Sequence, residues 1–313
     1  MSNSPANYVN PLIDTANRRF FFFSSACLPF GMVNLSPDTA AGGGAWEAGY
    51  RYDNHTICWF SHIHGWQLSG IPVLPTTGPM RGHEGVEVYK SKFSHDRETV
   101  QAGYHQVYLD DYDINAELTA TTRVGFHRYT FPKSDSAHIL FDLTTVIGPS
   151  DISDASITKT SDTELEGWVE NAPTRRRPKT VRIYFVAQFD RPFKTLGGWR
   201  DGNIIESTDT ISGPNTGAFV RYTTQDNDII HLKVAISYCD IEGARRNLES
   251  ELPHWDFDRV RNDATTEWNQ WLGRISVEGG TEAQKTKFYT DLYHALLGRR
   301  RASDSDGRYI DNT

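Results

Sequence analysis

Residues 230–238 read IHLKVAISY, and this stretch decides the fold class. Every second residue is apolar, namely Ile230, Leu232, Val234, Ile236 and Tyr238. The residues between them are smaller or polar. Successive side chains of a strand point to opposite faces, so a period of two predicts a strand with one buried face.

The same alternation recurs upstream, at residues 124–126, 139–143 and 183–189. Between such runs stand clusters of turn-forming residues, at 110–111, 132–135, 148–150, 197–198 and 213–215. Many short strands separated by Gly, Pro and Asp are typical of a sandwich of antiparallel sheets. We therefore predict a mainly β chain, with one large antiparallel β-sandwich domain over residues 1–239.

After residue 240 the apolar period changes from two to between three and four, which predicts helices. Asp240 is suited to cap a first helix, and Thr281 with Gln284 forms a capping-box pattern before a later one. We assign residues 240–280 to a helical linker. Residues 281–313 are predicted to be the first helix and turn of a further helical domain.

The last predicted helix carries an apolar stripe for which the sequence shows no partner. The stripe consists of Phe288, Tyr289, Leu292, Tyr293 and Leu296. An uncovered apolar stripe needs a partner surface. We expect a larger helical domain outside this sequence to cover it, and a homodimer through this helix is the alternative.

Composition excludes several classes of partner. The chain has 313 residues and a formal net charge of −8, whereas nucleic-acid binding favours basic surfaces. No apolar run reaches the length of a transmembrane helix, so no membrane partner is expected. The early run Phe20–Phe23 is too short for a signal peptide, which leaves the localisation open. Cys27, Cys58 and Cys239 are far apart in sequence and are expected to be thiols.

Residues 30–70 combine a glycine run, several aromatic rings and polar side chains, a mixture that suits a carbohydrate. Aromatic faces can cover the apolar side of a sugar while polar groups select its hydroxyls. The candidate substrate-binding residues are Trp46, Glu47, His62, His64 and Gln67. An ordinary edge of the β core is the alternative. His62 and His64 could also share a strand face and hold zinc, but no third ligand stands at a telling spacing, so no metal site is predicted.

Several sequence motifs in this chain, in the order in which they occur, resemble those of the glycoside hydrolase family 92 α-mannosidases. They are VNPLIDT (9–15), PFGMVNLSPDT (29–39), GYRYD (49–53), FSHIHG (60–65) and FYTDLYHALLGRR (288–300). The likeness spans nearly the whole chain. Two stretches depart from the family pattern, ANRRFFFFSS (16–25) and WQLSGIPVLPTTG (66–78).

The resemblance implies a supersandwich of the galactose-mutarotase type that leads into an (α/α)6 barrel. The family's general acid and general base lie in that barrel, beyond this sequence, so no catalytic residue is assigned here and the chain alone is expected to be inactive. Calcium is expected for the full-length enzyme and no cofactor for this chain. Expected partners are a mannoside or glycan and the missing helical catalytic domain. Family members are often exported.

Trp46 matches the family's tryptophan before the GY pair and is expected to line the sugar subsite. A different class of function remains open: a free-standing, non-catalytic carbohydrate-binding sandwich or interaction module.

Overall fold

The computed structural model describes residues 4–16, 24–40, 49–64, 68–147 and 150–311. Within these ranges the chain is mainly β, with two large antiparallel sheets followed by helices, which confirms the predicted fold class. Strands and helices are numbered below in chain order.

The first sheet has seven strands. In spatial order they are β1 (Ser36–Asp38), β3 (Trp59–Ser61), β4 (Val73–Thr77), β10 (Ser134–Asp142), β17 (Thr216–Thr224), β14 (Thr195–Arg200) and β15 (Asn203–Ile205). The sequence neighbours β1, β3 and β4 form one edge of this sheet. That edge is where the residues singled out between 30 and 70 enter the fold.

The second sheet has nine strands: β16 (Thr210–Ser212), β11 (Ile152–Ser161), β12 (Glu164–Asn171), β13 (Val181–Phe189), β18 (Asp228–Ser237), β9 (Val124–Phe131), β8 (Ile114–Ala120), β7 (Tyr104–Leu109) and β6 (Glu98–Gln101). A separate short pair joins β2 (Thr56–Ile57) to β5 (Ser91–Lys92). The remaining early elements are the short helix α1 (Val86–Tyr89) and 3-10 turns at Pro5–Tyr8, Gly82–Glu84 and His95–Arg97.

The main core lies between the two sheets. Phe141 of β10 stacks on Phe185 of β13, with ring centroids 6.3 Å apart and planes 11° from parallel. Alternate residues of β18, from Ile230 to Ile236, are fully buried in the same cluster. The predicted strand and its core-facing side are therefore confirmed, and the sheets pack face to face as a sandwich.

The second face of β18 is also covered, so the prediction of a single dry face was wrong. Helix α2 (Ile241–Glu251) packs there, and Ala235 lies in one buried cluster with Ala244 and Leu248. The predicted cap is present, since the Asp240 carboxylate accepts the Gly243 N–H at 2.6 Å. The helix that follows the sandwich is thus part of its packing.

Two longer helices follow, α3 (Phe257–Leu272) and α4 (Glu282–Leu297), the second with the predicted capping box. On α4 the buried side chains include Tyr289 and Tyr293. They cluster with Trp268 of α3 and with the N-terminal segment, where Tyr8 stacks on Tyr289 at 5.6 Å. The expectation that this stripe lacks a partner within the chain was wrong for Tyr289 and Tyr293, which are buried, whereas Phe288, Leu292 and Leu296 are half-buried.

Residues 303–308 form a turn that docks on α2. Asp304 is buried and accepts hydrogen bonds from Ser237 Oγ at 2.7 Å and Asn247 Nδ2 at 2.9 Å. Its carboxylate fits there because residue 243 is glycine: a Cβ at that position would lie 2.3 Å from Asp304 Oδ2. The segment that leaves α4 is therefore fixed against the sandwich.

Cys27, Cys58 and Cys239 form no disulfide, as predicted. Within the described ranges, no helix has both the length and the apolar character needed to cross a membrane.

Candidate functional site

Two loops carry most of the predicted sugar site. Trp46 and Glu47 belong to residues 41–48 and Gln67 belongs to residues 65–67, so all three lie outside the described residues. The structure does describe where both loops start and finish. The site can therefore be built from these attachment points.

The first loop leaves and returns at one point. Ala40 and Gly49 form an antiparallel bridge in which each main-chain N–H donates to the other's carbonyl, at 3.3 and 3.4 Å. Thr39 N–H also donates to the Gly49 carbonyl, at 3.0 Å. Gly49 has a φ of 99°, a conformation that side-chain-bearing residues rarely adopt. The bridge fixes the two attachment points of residues 41–48, Ala40 and Gly49, next to each other at the edge of the seven-stranded sheet.

His64 links the base of this loop to the second loop. Its imidazole is buried, with Nε2 2.8 Å from Asp38 Oδ1 and Nδ1 2.6 Å from the Asn34 carbonyl. Asp38 ends β1, two residues before Ala40, and His64 directly precedes residues 65–67. The imidazole therefore joins Asp38, at the base of the first loop, to the Asn34 main chain. Hydrogen bonds to a carboxylate are among the stronger kinds, so this contact links the bases of the two loops.

The far end of the second loop is held by Asn171 of β12. Its side-chain amide accepts the Ser69 N–H at 2.9 Å and donates to the Ser69 carbonyl at 3.0 Å. Both groups of Asn171 are buried. The seven-stranded sheet thus fixes one end of residues 65–67, and the nine-stranded sheet fixes the other.

His62 is buried and has partners other than those of His64. Its Nδ1 lies 2.7 Å from the Ile71 carbonyl and its Nε2 lies 2.9 Å from Nε2 of His127, whose Nδ1 is 2.7 Å from the Tyr129 hydroxyl. With both rings neutral, one proton arrangement satisfies this chain: Tyr129 donates to His127, His127 to His62, and His62 to Ile71. The two histidines of the H-x-H pair therefore have separate partners.

The Ile71 carbonyl belongs to a residue with an unusual backbone conformation, since Ile71 has a φ of 55°. A β-branched residue in this region is strained. The His62 bond helps to hold that backbone, four residues after the end of the second loop. His62 is thus placed to shape this stretch of chain.

Burial lowers the pKa of His62 to about 4. Burial also lowers the pKa of His127 well below its usual range, and the neighbouring His62 lowers it further. Both rings are therefore neutral at pH 7. An unfolded histidine has a pKa near 6.5 and binds protons that the folded rings refuse. The fold must therefore lose stability as the pH falls from 6.5 toward 4.

We expect the free energy of unfolding to decrease over this pH range by about 1.4 kcal/mol per pH unit for each proton taken up on unfolding. Urea denaturation between pH 4 and 7 measures this slope. His127→Asn keeps an acceptor for Tyr129 and should flatten the slope, while replacement of the exposed His55 by glutamine should leave it unchanged. Equal slopes in both variants would contradict the assignment.

Glu98 of β6 anchors the GYRYD word that follows the first loop. Its carboxylate accepts from the Tyr50 hydroxyl at 2.9 Å, His105 Nε2 at 2.8 Å and His95 Nδ1 at 2.7 Å. Burial alone would raise the pKa of Glu98, but the hydrogen bonds from His105, His95 and Tyr50 bring it below its usual value. The His95 ring in turn stacks on Tyr52 with centroids 4.0 Å apart.

Tyr52 is 41% exposed, so this stack offers a flat aromatic face near the first loop.

Sequence reasoning assigned no role to Glu98, Asp38 or Asn171. Asp38 lies inside the motif PFGMVNLSPDT that resembles the family, and this was the one feature of the sequence that could have singled it out. Glu98 and Asn171 lie far away along the chain and carried none.

One group of side chains in the described residues is close enough to share a metal ion: Asp14, Asp291 and His294, with one potential ligand atom each within 4.8 Å of the others. Calcium prefers six to eight oxygen ligands. Two carboxylates and an imidazole are not such a set, so this group does not fit calcium, and it lies on α4 and the N-terminal segment.

Models of protein families match the chain in two parts. The N-terminal domain of glycosyl hydrolase family 92 matches residues 8–237, and the catalytic domain of the same family matches residues 243–313. The chain belongs to glycosyl hydrolase family 92. The two matches meet at the start of α2, where the β pattern gives way to helices.

Solved structures of family 92 enzymes superpose on nearly all of this chain. The α-mannosidase BT3965 from Bacteroides thetaiotaomicron is 28% identical with a TM-score of 0.89, covering 99% of this chain and 43% of its own. The same enzyme was solved with mannoimidazole. The inverting mannosidase BT2199 from the same organism is 23% identical with a TM-score of 0.86, covering 99% of this chain and 42% of its own, and supports the fold.

A curated relative from the fungus Arthroderma benhamiae, described as an uncharacterized secreted glycosidase, is 23% identical over 93% of this chain and 41% of its own length. The family 92 chain described here thus spans about two fifths of the length of the relatives it matches.

Proposed function

We propose that this chain is the N-terminal, carbohydrate-binding part of an exo-acting α-mannosidase and forms one side of its sugar pocket. The observation that carries the proposal is the His64–Asp38 hydrogen bond, which joins the bases of residues 41–48 and 65–67. Loops fixed at both ends can present side chains to a ligand at little entropic cost. A relative 28% identical to this chain was solved with a mannose-like inhibitor, which supports a sugar as the ligand.

Within this proposal the predicted residues take two kinds of role. Trp46 stacks on the sugar ring, and Glu47 and Gln67 bond its hydroxyls. His62 and His64 act as positioning residues, since both imidazoles are buried and both ring nitrogens of each have protein partners. They keep the loops in the geometry that the sugar requires.

The remaining parts of the machinery belong to the longer protein. The division is a sandwich at 1–239, a helical linker at 240–280 and the beginning of the helical catalytic domain at 281–313. The catalytic carboxylates lie beyond residue 313, and so do the oxygen ligands for the calcium that the family resemblance implies. Glycosidic hydrolysis needs two carboxyl groups on either side of one bond. This chain by itself is then a binding unit without turnover.

We expect the chain to bind mannoimidazole weakly, with a Kd of about 1 mM, because only one side of the pocket is present. Trp46→Ala should weaken binding about fivefold through loss of ring stacking. Trp168→Ala, which removes a half-buried tryptophan on β12, is the matched control and should leave the Kd unchanged. Isothermal titration calorimetry measures all three proteins.

The same preparation should show no hydrolysis of an aryl α-mannoside above the buffer rate. Turnover that disappears when one acidic residue of this chain is replaced would refute the assignment of the catalytic groups. Equal binding by Trp46→Ala and wild type would refute the assignment of the sugar site.

A further inference from the structure

Tyr52 carries an aromatic ring with one covered face and one open face. The ring stacks on that of His95, with centroids 4.0 Å apart and planes 7° from parallel. Tyr52 is nevertheless 41% exposed. Since His95 covers one face, the exposed part of the Tyr52 ring is its other face and its rim. The fold therefore presents a flat aromatic surface to solvent at this point.

The ring beneath Tyr52 is held from several sides. His95 Nδ1 lies 2.7 Å from Glu98 Oε2, and its Nε2 lies 2.9 Å from the Tyr52 carbonyl. The buried Phe93 meets the His95 ring edge to face, with centroids 5.1 Å apart. The imidazole cannot turn away without losing these contacts. A rigid aromatic surface loses little conformational entropy when a ligand settles on it.

Two hydrogen bonds tie the turn that carries Tyr52 to the base of the first loop. Arg51 N–H donates to Thr39 Oγ1 at 2.7 Å, and the side-chain amide of Asn54 donates to the Thr39 carbonyl at 3.0 Å. Thr39 in turn stands two residues before residues 41–48, which carry the proposed sugar-binding loop. The turn is therefore fixed beside that loop, on residues that the proposed sugar site does not use.

Polar side chains accompany the open ring. Asp53 and His55 are both exposed, and the His55 ring meets that of His95 edge to face, with centroids 6.0 Å apart. A pyranose has one side formed by C–H groups and a rim of hydroxyls. An aromatic face with hydrogen-bonding groups beside it matches both parts of such a ring.

A protein partner fits this surface less well than a sugar does. Specific protein interfaces bury about 1,000 Å² or more. Within residues 50–55 and 93–98, Tyr52 is the one large apolar side chain that is exposed. A single ring is too small for the apolar centre of a protein interface, whereas it covers one face of one pyranose.

We propose that the open face of Tyr52 binds a second sugar residue of a glycan, while the proposed sugar-binding loop holds the terminal one. This inference rests on the proposed function, because it places the second sugar beside that loop. The pyranose lies against the Tyr52 ring, and the side chains of Asp53 and His55 bond its hydroxyls. Tyr52 thereby makes the chain favour oligosaccharides over single sugars.

Calorimetric titration of the chain with methyl α-mannoside and with α-linked mannobioses joined through O2, O3 or O6 tests the proposal. The single sugar fills only the terminal site, whereas a disaccharide of suitable linkage also reaches Tyr52. At least one mannobiose should bind about fivefold more tightly than methyl α-mannoside, the gain expected from one stacking contact.

Tyr52→Ala should remove this gain and leave the binding of methyl α-mannoside unchanged, whereas Tyr52→Phe keeps the aromatic face and should retain the gain. The matched control is Tyr309→Ala, which removes another exposed tyrosine and should bind every sugar as wild type does.

No gain for any mannobiose, or a gain that survives Tyr52→Ala, would overturn the proposal. Mannoimidazole binding and its dependence on Trp46 report on the terminal site alone, so failure of the proposed function and failure of this inference give different results.

Discussion

Replacing Arg123 by methionine is expected to lower the free energy of unfolding by about 3–5 kcal/mol, because it leaves a buried carboxylate without its partner. Arg123 sits between β8 and β9 and pairs with Glu251 at the end of α2, with side chains only 8% and 14% exposed. Its guanidinium also donates to the carbonyls of Ser303 and Asp304. One side chain thus ties the sheet, α2 and the turn after α4 together.

The control is Arg259→Met, which breaks an exposed pair with Asp263 whose side chains are 63% and 72% exposed. That change should cost less than about 1 kcal/mol. The double variant Arg123→Met with Glu251→Met should recover part of the loss, since no buried charge then remains unpaired. Urea denaturation gives the free energy of unfolding of the wild type and of these three variants. A loss for Arg123→Met as small as that of the control would contradict the role assigned to the pair.

The second large effect is expected for Trp268→Ala, with a loss of about 3–5 kcal/mol from the cavity it leaves. Trp268 of α3 is fully buried, contacts the Tyr293 ring at a centroid distance of 4.4 Å, and donates from Nε1 to the Cys27 carbonyl at 2.8 Å. It contacts both α4 and the N-terminal part of the chain from α3.

Trp271, three residues later on α3, is half-buried and packs against Phe30 edge to face, with ring centroids 4.7 Å apart. Trp271→Ala is the matched control and should cost roughly 1 kcal/mol, near the average of point mutations. Thermal and urea unfolding compare the two variants. Similar losses would show that Trp268 has no special place in the helical packing.

The sequence was sufficient to predict elements with a local signature. The alternation around Leu232 predicted β18, the Asp240 cap predicted the start of α2, and the capping box at Thr281 predicted the start of α4. These features depend on neighbours within four residues. The cover of the second face of β18 by α2 depends on how that helix folds back onto the sheet, which alternation and caps do not reveal. The cover of α4 by Tyr8 could not be predicted, because it depends on a contact between the two ends of the chain.

The candidate site divides in the same way. The sequence singled out His62 and His64 as polar side chains among the aromatic residues of 30–70, and the motif FSHIHG at 60–65 resembles the family. Their partners are His127, 65 residues away, and Asp38, 26 residues away. No local pattern pairs these residues, so their burial and their hydrogen-bond partners became visible only in the folded chain.

The contact between Asp304 and α2 bears on how family 92 proteins can be cut or recombined. Residue 304 belongs to the part matched by the catalytic-domain model, whereas its donor Ser237 closes the part matched by the N-terminal model. A protein ended at residue 239 would strip α2 from the sheet and leave Phe126, Val186 and Ala235 in water. The border between the two matched parts is thus not a boundary of packing, and we expect a fragment ended there to aggregate.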